Sequence, residues 1–107
     1  MIEFLDSNIC CLKLTTTTTE LLYDFSNTLS QGEAHDAIVI LDKVNLKEIF
    51  GTLKTLLATQ KKIGKQLVIV AEHAVIPEFP GSWALVPTKT EAVDFILFEQ
   101  MQRDLGF

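Results

Sequence analysis

The residues able to do chemistry in this chain are few and lie far apart. His35 and His73 are the only histidines, and neither stands in an H-x-H, H-E-x-x-H or Cys/His spacing. The expectation is no metal site. His35 falls in the polar link Gln31–Asp36, where a solvent-exposed loop position is expected. His73 follows an apolar run, Gln66–Val70, whose carboxyl end is where open α/β sheets place ligands. Asp42 closes a second run, Ala37–Leu41. A phosphoacceptor aspartate there would need an acidic pair for magnesium, and the first strands offer only Glu3 and Asp6, which are not adjacent. Asp42 therefore reads either as a turn residue bonding nearby backbone N–H groups or, with His73, as part of a ligand site at the strand ends. Cys10 and Cys11 have no histidine near them in sequence, and the five scattered glycines assemble no phosphate-cradling loop. No catalytic set emerges, so the chain reads as a non-enzyme without a cofactor.

The elements that must position these residues are easier to read. Ala37-Ile38-Val39-Ile40-Leu41 and Gln66-Leu67-Val68-Ile69-Val70 are continuous, β-branched-rich runs, which suit parallel strands covered on both faces. Between them, Leu46, Ile49, Phe50, Leu53, Leu56 and Leu57 mark one face of a helix that serves as the crossover. Asn45 with Glu48 starts it in the manner of a capping box, and Lys61, Lys62 and Gly64 end it. Gly51 inside the helix costs about 1 kcal/mol relative to Ala and suggests close packing. Upstream, Ile2–Leu5 and Ile9–Leu14 read as a hairpin around Asp6-Ser7-Asn8. Thr15 to Thr19 is a short threonine run whose last member can cap a helix carrying Leu21, Leu22, Phe25 and Leu29, with Gly32 near its stop. Downstream, Glu72–Trp83 holds Pro77, Pro80 and Gly81 and reads as a loop with room for one helical turn. Ala84-Leu85-Val86 is a short strand. Thr88-x-x-Glu91 then opens a helix running to about Leu105. The expected class is α/β, a mixed sheet with a hairpin start and βαβ crossovers, in the order ββαβαβα.

Bulk properties narrow the function classes. A chain of 107 residues with 48% hydrophobic and 21% charged residues forms one domain and buries about two thirds of its extended surface. A net charge of −5 argues against general nucleic-acid or anionic-membrane binding. That charge is unevenly spread. Between positions 43 and 65 six lysines stand beside one glutamate, about +5. The remaining three basic and thirteen acidic residues give about −10. Such a basic helix face is either a solvated face or a docking surface. The two adjacent cysteines of one strand point to opposite faces, so no disulfide is expected and a reducing cytoplasm fits. No apolar run approaches a membrane span, and the first residues carry no basic n-region, so neither a signal peptide nor an anchor is expected.

The last helix has more large apolar residues than one face can bury: Val93, Phe95, Ile96, Leu97, Phe98 and Met101. A core stripe of Val93, Ile96, Leu97 and Met101 would leave Phe95 and Phe98 pointing elsewhere. The helix is either deeply embedded or makes a subunit or partner contact, and Phe95, Phe98, Arg103 and Phe107 are the candidate contact residues.

This element order, with Ile38-Val39-Ile40-Leu41-Asp42, Leu67-Val68-Ile69-Val70 and Thr88-x-x-Glu91-Ala92, resembles the STAS domain of anti-anti-sigma factors and sulfate-transporter tails. Val86-Pro87-Thr88 and the terminal Arg103-Asp104-Leu105-Gly106-Phe107 also resemble a group of small bacterial proteins often labelled ribonuclease Z, a label we read as borrowed from a neighbouring gene. Ribonuclease Z needs an H-x-H-x-D-H motif and further histidines for paired zinc ions, and two isolated histidines cannot supply them. The phosphorylated serine of the anti-anti-sigma motif has no counterpart either, since Glu48-Ile49-Phe50-Gly51 places apolar residues at both hydroxyl positions. The resemblance thus implies the scaffold without the phospho-switch. It leaves two expectations. One is a cytoplasmic, non-enzymatic regulatory domain that binds a protein partner or itself. The other is a small-molecule or nucleotide sensor at the strand ends near Asp42 and His73.

Overall fold

A computed structural model describes residues 2–5, 8–15, 20–30 and 35–106. The turn residues Asp6 and Ser7, the cap Thr19, the stop Gly32 and the terminal Phe107 lie outside them.

Five strands form one mixed sheet in sequential order: β1 (Ile2–Leu5), β2 (Ile9–Leu14), β3 (Asp36–Leu41), β4 (Leu67–Val70) and β5 (Ala84–Val86). β1 and β2 pair antiparallel as a hairpin, with Leu5 opposite Ile9, and β2 through β5 run parallel. Helix α1 (Glu20–Ser30) links β2 to β3, and α2 (Leu46–Lys62) links β3 to β4. One 3₁₀ turn at Ile76–Glu78 lies in the link from β4 to β5, and α3 (Lys89–Asp104) follows β5. The order is therefore ββαβαββα: each of the five strands was expected, Ala84–Val86 included, and the expected string ββαβαβα is one strand short of its own elements. Ala84–Val86 is a full ladder member, and a proline-rich loop with a single turn suffices to carry the chain across to it.

Burial alternates along the parallel strands as two covered faces require. Ala37, Val39, Leu67 and Ile69 pack with Leu22, Phe25 and Leu29 of α1 and with Ile49, Leu53 and Leu56 of α2. Ile38, Val68 and Val70 pack instead with Ala92 and Ile96 of α3. The cysteines divide in the same way, Cys10 to the first cluster and Cys11 to the second, and both are free. Burial pushes the Cys10 thiol up to about 11, with Cys11 beside it adding to the rise, and burial also raises Cys11. Both stay protonated at neutral pH and act as small apolar side chains.

The helix ends follow local rules. Asn45 accepts a hydrogen bond from the Lys47 N–H at 3.0 Å. At the other end of α2, the Lys65 N–H reaches the Gln60 carbonyl (2.9 Å) and the Gly64 N–H reaches Lys61 (3.1 Å), with Gly64 at φ 75°. That is a Schellman closure, and the left-handed position is why glycine stands there. Thr88 caps α3 by accepting from the Glu91 N–H (3.2 Å), and its hydroxyl donates to the Glu91 carboxylate (2.8 Å). Gly51 needs a different account from the expected close packing. A Cβ there would meet nothing within 4 Å among the described residues, so that face of α2 is open to them.

Candidate functional site

Both ends of the parallel strands carry polar residues, and the two ends differ in kind. At the carboxyl ends, Asp42 leaves β3 in a tight turn, half-buried, with its N–H donating to the Leu14 carbonyl at 3.0 Å. Lys43 follows in the left-handed region at φ 58°, which costs a residue with a Cβ about 1–2 kcal/mol. A small cleft of about 130 Å³ opens here, lined by Leu41, Lys43, Val44, Leu46, Glu72, Val75 and Phe79. Its walls are apolar, with one lysine and one glutamate. Neither Asp42 nor His73 lines it, and His73 is exposed in the turn after β4.

At the amino ends stands a polar network that the sequence did not announce. Asp36, the first residue of β3, has no exposed surface. Arg103 of α3 grips its carboxylate with both terminal nitrogens, at 2.7 and 3.2 Å. Gln100, one helical turn earlier, donates at 2.9 Å, and the Gln66 backbone N–H donates at 2.8 Å. Burial alone would push the Asp36 carboxyl up. The hydrogen bonds from Arg103, Gln100 and Gln66 outweigh that and hold it below the usual carboxylate range. Alongside, the buried Gln60 of α2 donates to the carbonyls of His35 (2.8 Å) and Gln66 (3.1 Å), tying the entries of β3 and β4 together. His35 is thereby drawn inward. It is half-buried rather than solvent-exposed, its ring stands edge-on to Phe4 at 5.8 Å, and its buried Nδ1 meets no hydrogen-bond partner among the described residues.

This network sets the rotation of α3. Ala92, Ile96, Gln100 and Arg103, at i, i+4, i+8 and i+11, face the sheet, two through apolar contact and two through Asp36. The expected core stripe is corrected in consequence. Val93 and Ile96 do pack on the sheet, but Leu97 and Met101 are turned outward. Phe95 is half-buried against the α3-side cluster, whereas Phe98 is exposed. The outer face thus carries Leu97 (41% exposed), Phe98 (58%), Met101 (58%) and Leu105 (66%) in one stripe. Arg103, a candidate contact residue in the sequence, commits its guanidinium to Asp36, although its side chain stays 31% exposed.

Another recess, about 580 Å³, lies on the half of the sheet that α3 leaves uncovered. Ile2, Cys11 and Ile40 line it with Lys13 and the Glu3–Lys89 ion pair (2.6 Å). That exposed pair contributes little to stability. Among the described residues no group of three or more His, Cys, Asp or Glu stands close enough to hold a metal ion, and no helix is long and apolar enough to cross a membrane.

Hydropathy could not locate the Asp36 network, because a strand-initial aspartate and a helix-terminal arginine 67 residues apart carry no pairing signal. Compared with known proteins, the chain matches no family model, no curated protein and no solved structure.

Proposed function

We propose that this chain is a non-catalytic, STAS-like protein-interaction module of the cytoplasm, and that the outer face of α3 is its contact surface. The sequential order of parallel strands joined by crossovers supports the STAS-like reading. The observation that carries the function is the stripe Leu97, Phe98, Met101 and Leu105. These are four large apolar side chains, 41–66% exposed, on a helix whose opposite face is already locked to the sheet. Contiguous apolar surface of this kind marks interaction sites, with aromatic and methionine side chains enriched at their centres. Changing Phe98 and Met101 together to Ser should leave the melting temperature within a few degrees and abolish recovery of one defined protein with the tagged chain from its native cell. Equal recovery by wild type and variant rejects the surface.

A second reading, a small-molecule or nucleotide sensor, is favoured by the cleft beside the left-handed Lys43. Strained backbone gathers where ligands are held. A ligand seated there at 100 times its Kd would raise stability by about 2.7 kcal/mol. A thermal-shift series with nucleotides that moves nothing counts against it.

A further inference from the structure

We propose that the outer face of α3 docks on the outer face of α2 in a second copy of this chain, head to tail. The inference rests on the reading of α3 as a contact surface and names the occupant. On α3 the exposed stripe is bordered by Asp94, three and four residues before Leu97 and Phe98, and by Asp104, three after Met101. Both cations of α3 are engaged elsewhere, Lys89 with Glu3 and Arg103 with Asp36. The face is therefore apolar and acid-rimmed.

The outer face of α2 is its complement. Lys47, Gly51, Lys54, Ala58 and Lys61 recur at i, i+4, i+7, i+11 and i+14, and all five are exposed. Small and basic residues alternate along it. Glycine weakens a helix interior, and none of the described residues fills the space at Gly51. Beside it a recess of about 410 Å³ opens between α1 and α2, with Tyr23, Lys47 and Thr55 among its walls. Large apolar residues set against small ones let two helices approach closely, and opposite charges at the margins fix the register. Pairing α3 with α3 about a two-fold axis would instead bring Asp94 and Asp104 of both copies into one interface, where like charges repel.

Helices α2 and α3 lie on opposite faces of the sheet, so each copy offers one knob face and one socket face. The contact is heterologous and continues as an open series or closes as a ring.

Sedimentation velocity on the purified chain tests this. The weight-average mass should rise with concentration beyond a dimer and fall as salt screens the charged margins. Two one-sided variants sharpen the result. Phe98→Ser with Met101→Ser removes the knobs, and Gly51→Leu with Lys54→Glu fills and reverses the socket. Each alone should be monomeric with an unchanged circular dichroism spectrum. Mixed in equal amounts, they should form a heterodimer and nothing larger, because one retains the socket and the other the knobs. If the double knob variant loses its fold, Leu105→Ser at the end of the stripe replaces it. Wild-type protein that stays monomeric at every concentration, or assembles while the variants fail to complement, overturns head-to-tail docking. The native-cell capture experiment separates the two ideas. A monomeric chain that still recovers a defined protein through Phe98 and Met101 ends the self-docking proposal alone.

Discussion

Helices α2 and α3 cover opposite faces of the same sheet and distribute their residues in opposite ways. α2 follows the ordinary amphipathic rule, with Ile49, Leu53 and Leu56 inward and its lysines outward. α3 departs from it. Its sheet-facing side ends in Gln100 and Arg103, and its outer side carries Leu97, Phe98, Met101 and Leu105. For α2, hydrophobic area sets the helix rotation. For α3, one buried carboxylate sets it, because leaving Asp36 unpaired costs more than exposing a few apolar side chains.

The comparison can be broken most severely on the α2 side. Leu53 is fully buried mid-stripe, and Leu53→Asp places an unpaired carboxylate in the main core. Loss of the cooperative thermal transition is expected, and a melt near that of wild type would show that area burial does not hold α2. On the α3 side, Arg103→Met strands the Asp36 charge and should cost about 3–5 kcal/mol in urea unfolding. A cost below 1 kcal/mol would mean that the ion pair does not orient the helix. Asp36→Asn combined with Arg103→Met removes both charges and should recover part of that loss.

The same pair predicts a pH dependence. The folded Asp36 carboxyl sits below its ordinary value, so its stabilisation is complete above the unfolded pKa, about 4, and is lost as pH falls through the lower folded value. In that window the unfolded chain binds more protons, so stability rises with pH. Wild type should therefore weaken more steeply below about pH 4 than the doubly neutral variant, as acid-range denaturant titrations would show, and parallel curves would count against the assignment. The smallest effect is expected at Gly51. With φ in the helical region and open space at its Cβ, Gly51→Ala should stabilise by up to about 1 kcal/mol. Destabilisation would restore the close-packing reading of that glycine.

Much of the architecture was legible in the residues themselves. The runs Ala37–Leu41 and Leu67–Val70, the leucine stripe of α2, and the caps at Asn45, Gly64 and Thr88 are local patterns that obey backbone geometry within a few residues. The third helix was legible as a helix but not in its rotation, since hydropathy ranks Leu97 and Met101 above Gln100 and Arg103 for burial. At the strand ends, the location of a cleft could be anticipated from parallel topology, yet its lining is Lys43 and Glu72 rather than Asp42 and His73. Side-chain direction in a turn depends on φ, and Lys43 stands in the left-handed region in the turn that leaves β3.

By itself, then, the sequence determined the class, the elements and their ends, because periodicity and capping act over four residues or fewer. Tertiary structure decided what those elements present to the outside. Asp36, Gln66, Gln100 and Arg103 meet only when β3, β4 and α3 have packed. Their meeting turns an apolar stripe outward, because a buried charge must find its partners before hydrophobic area can choose a face.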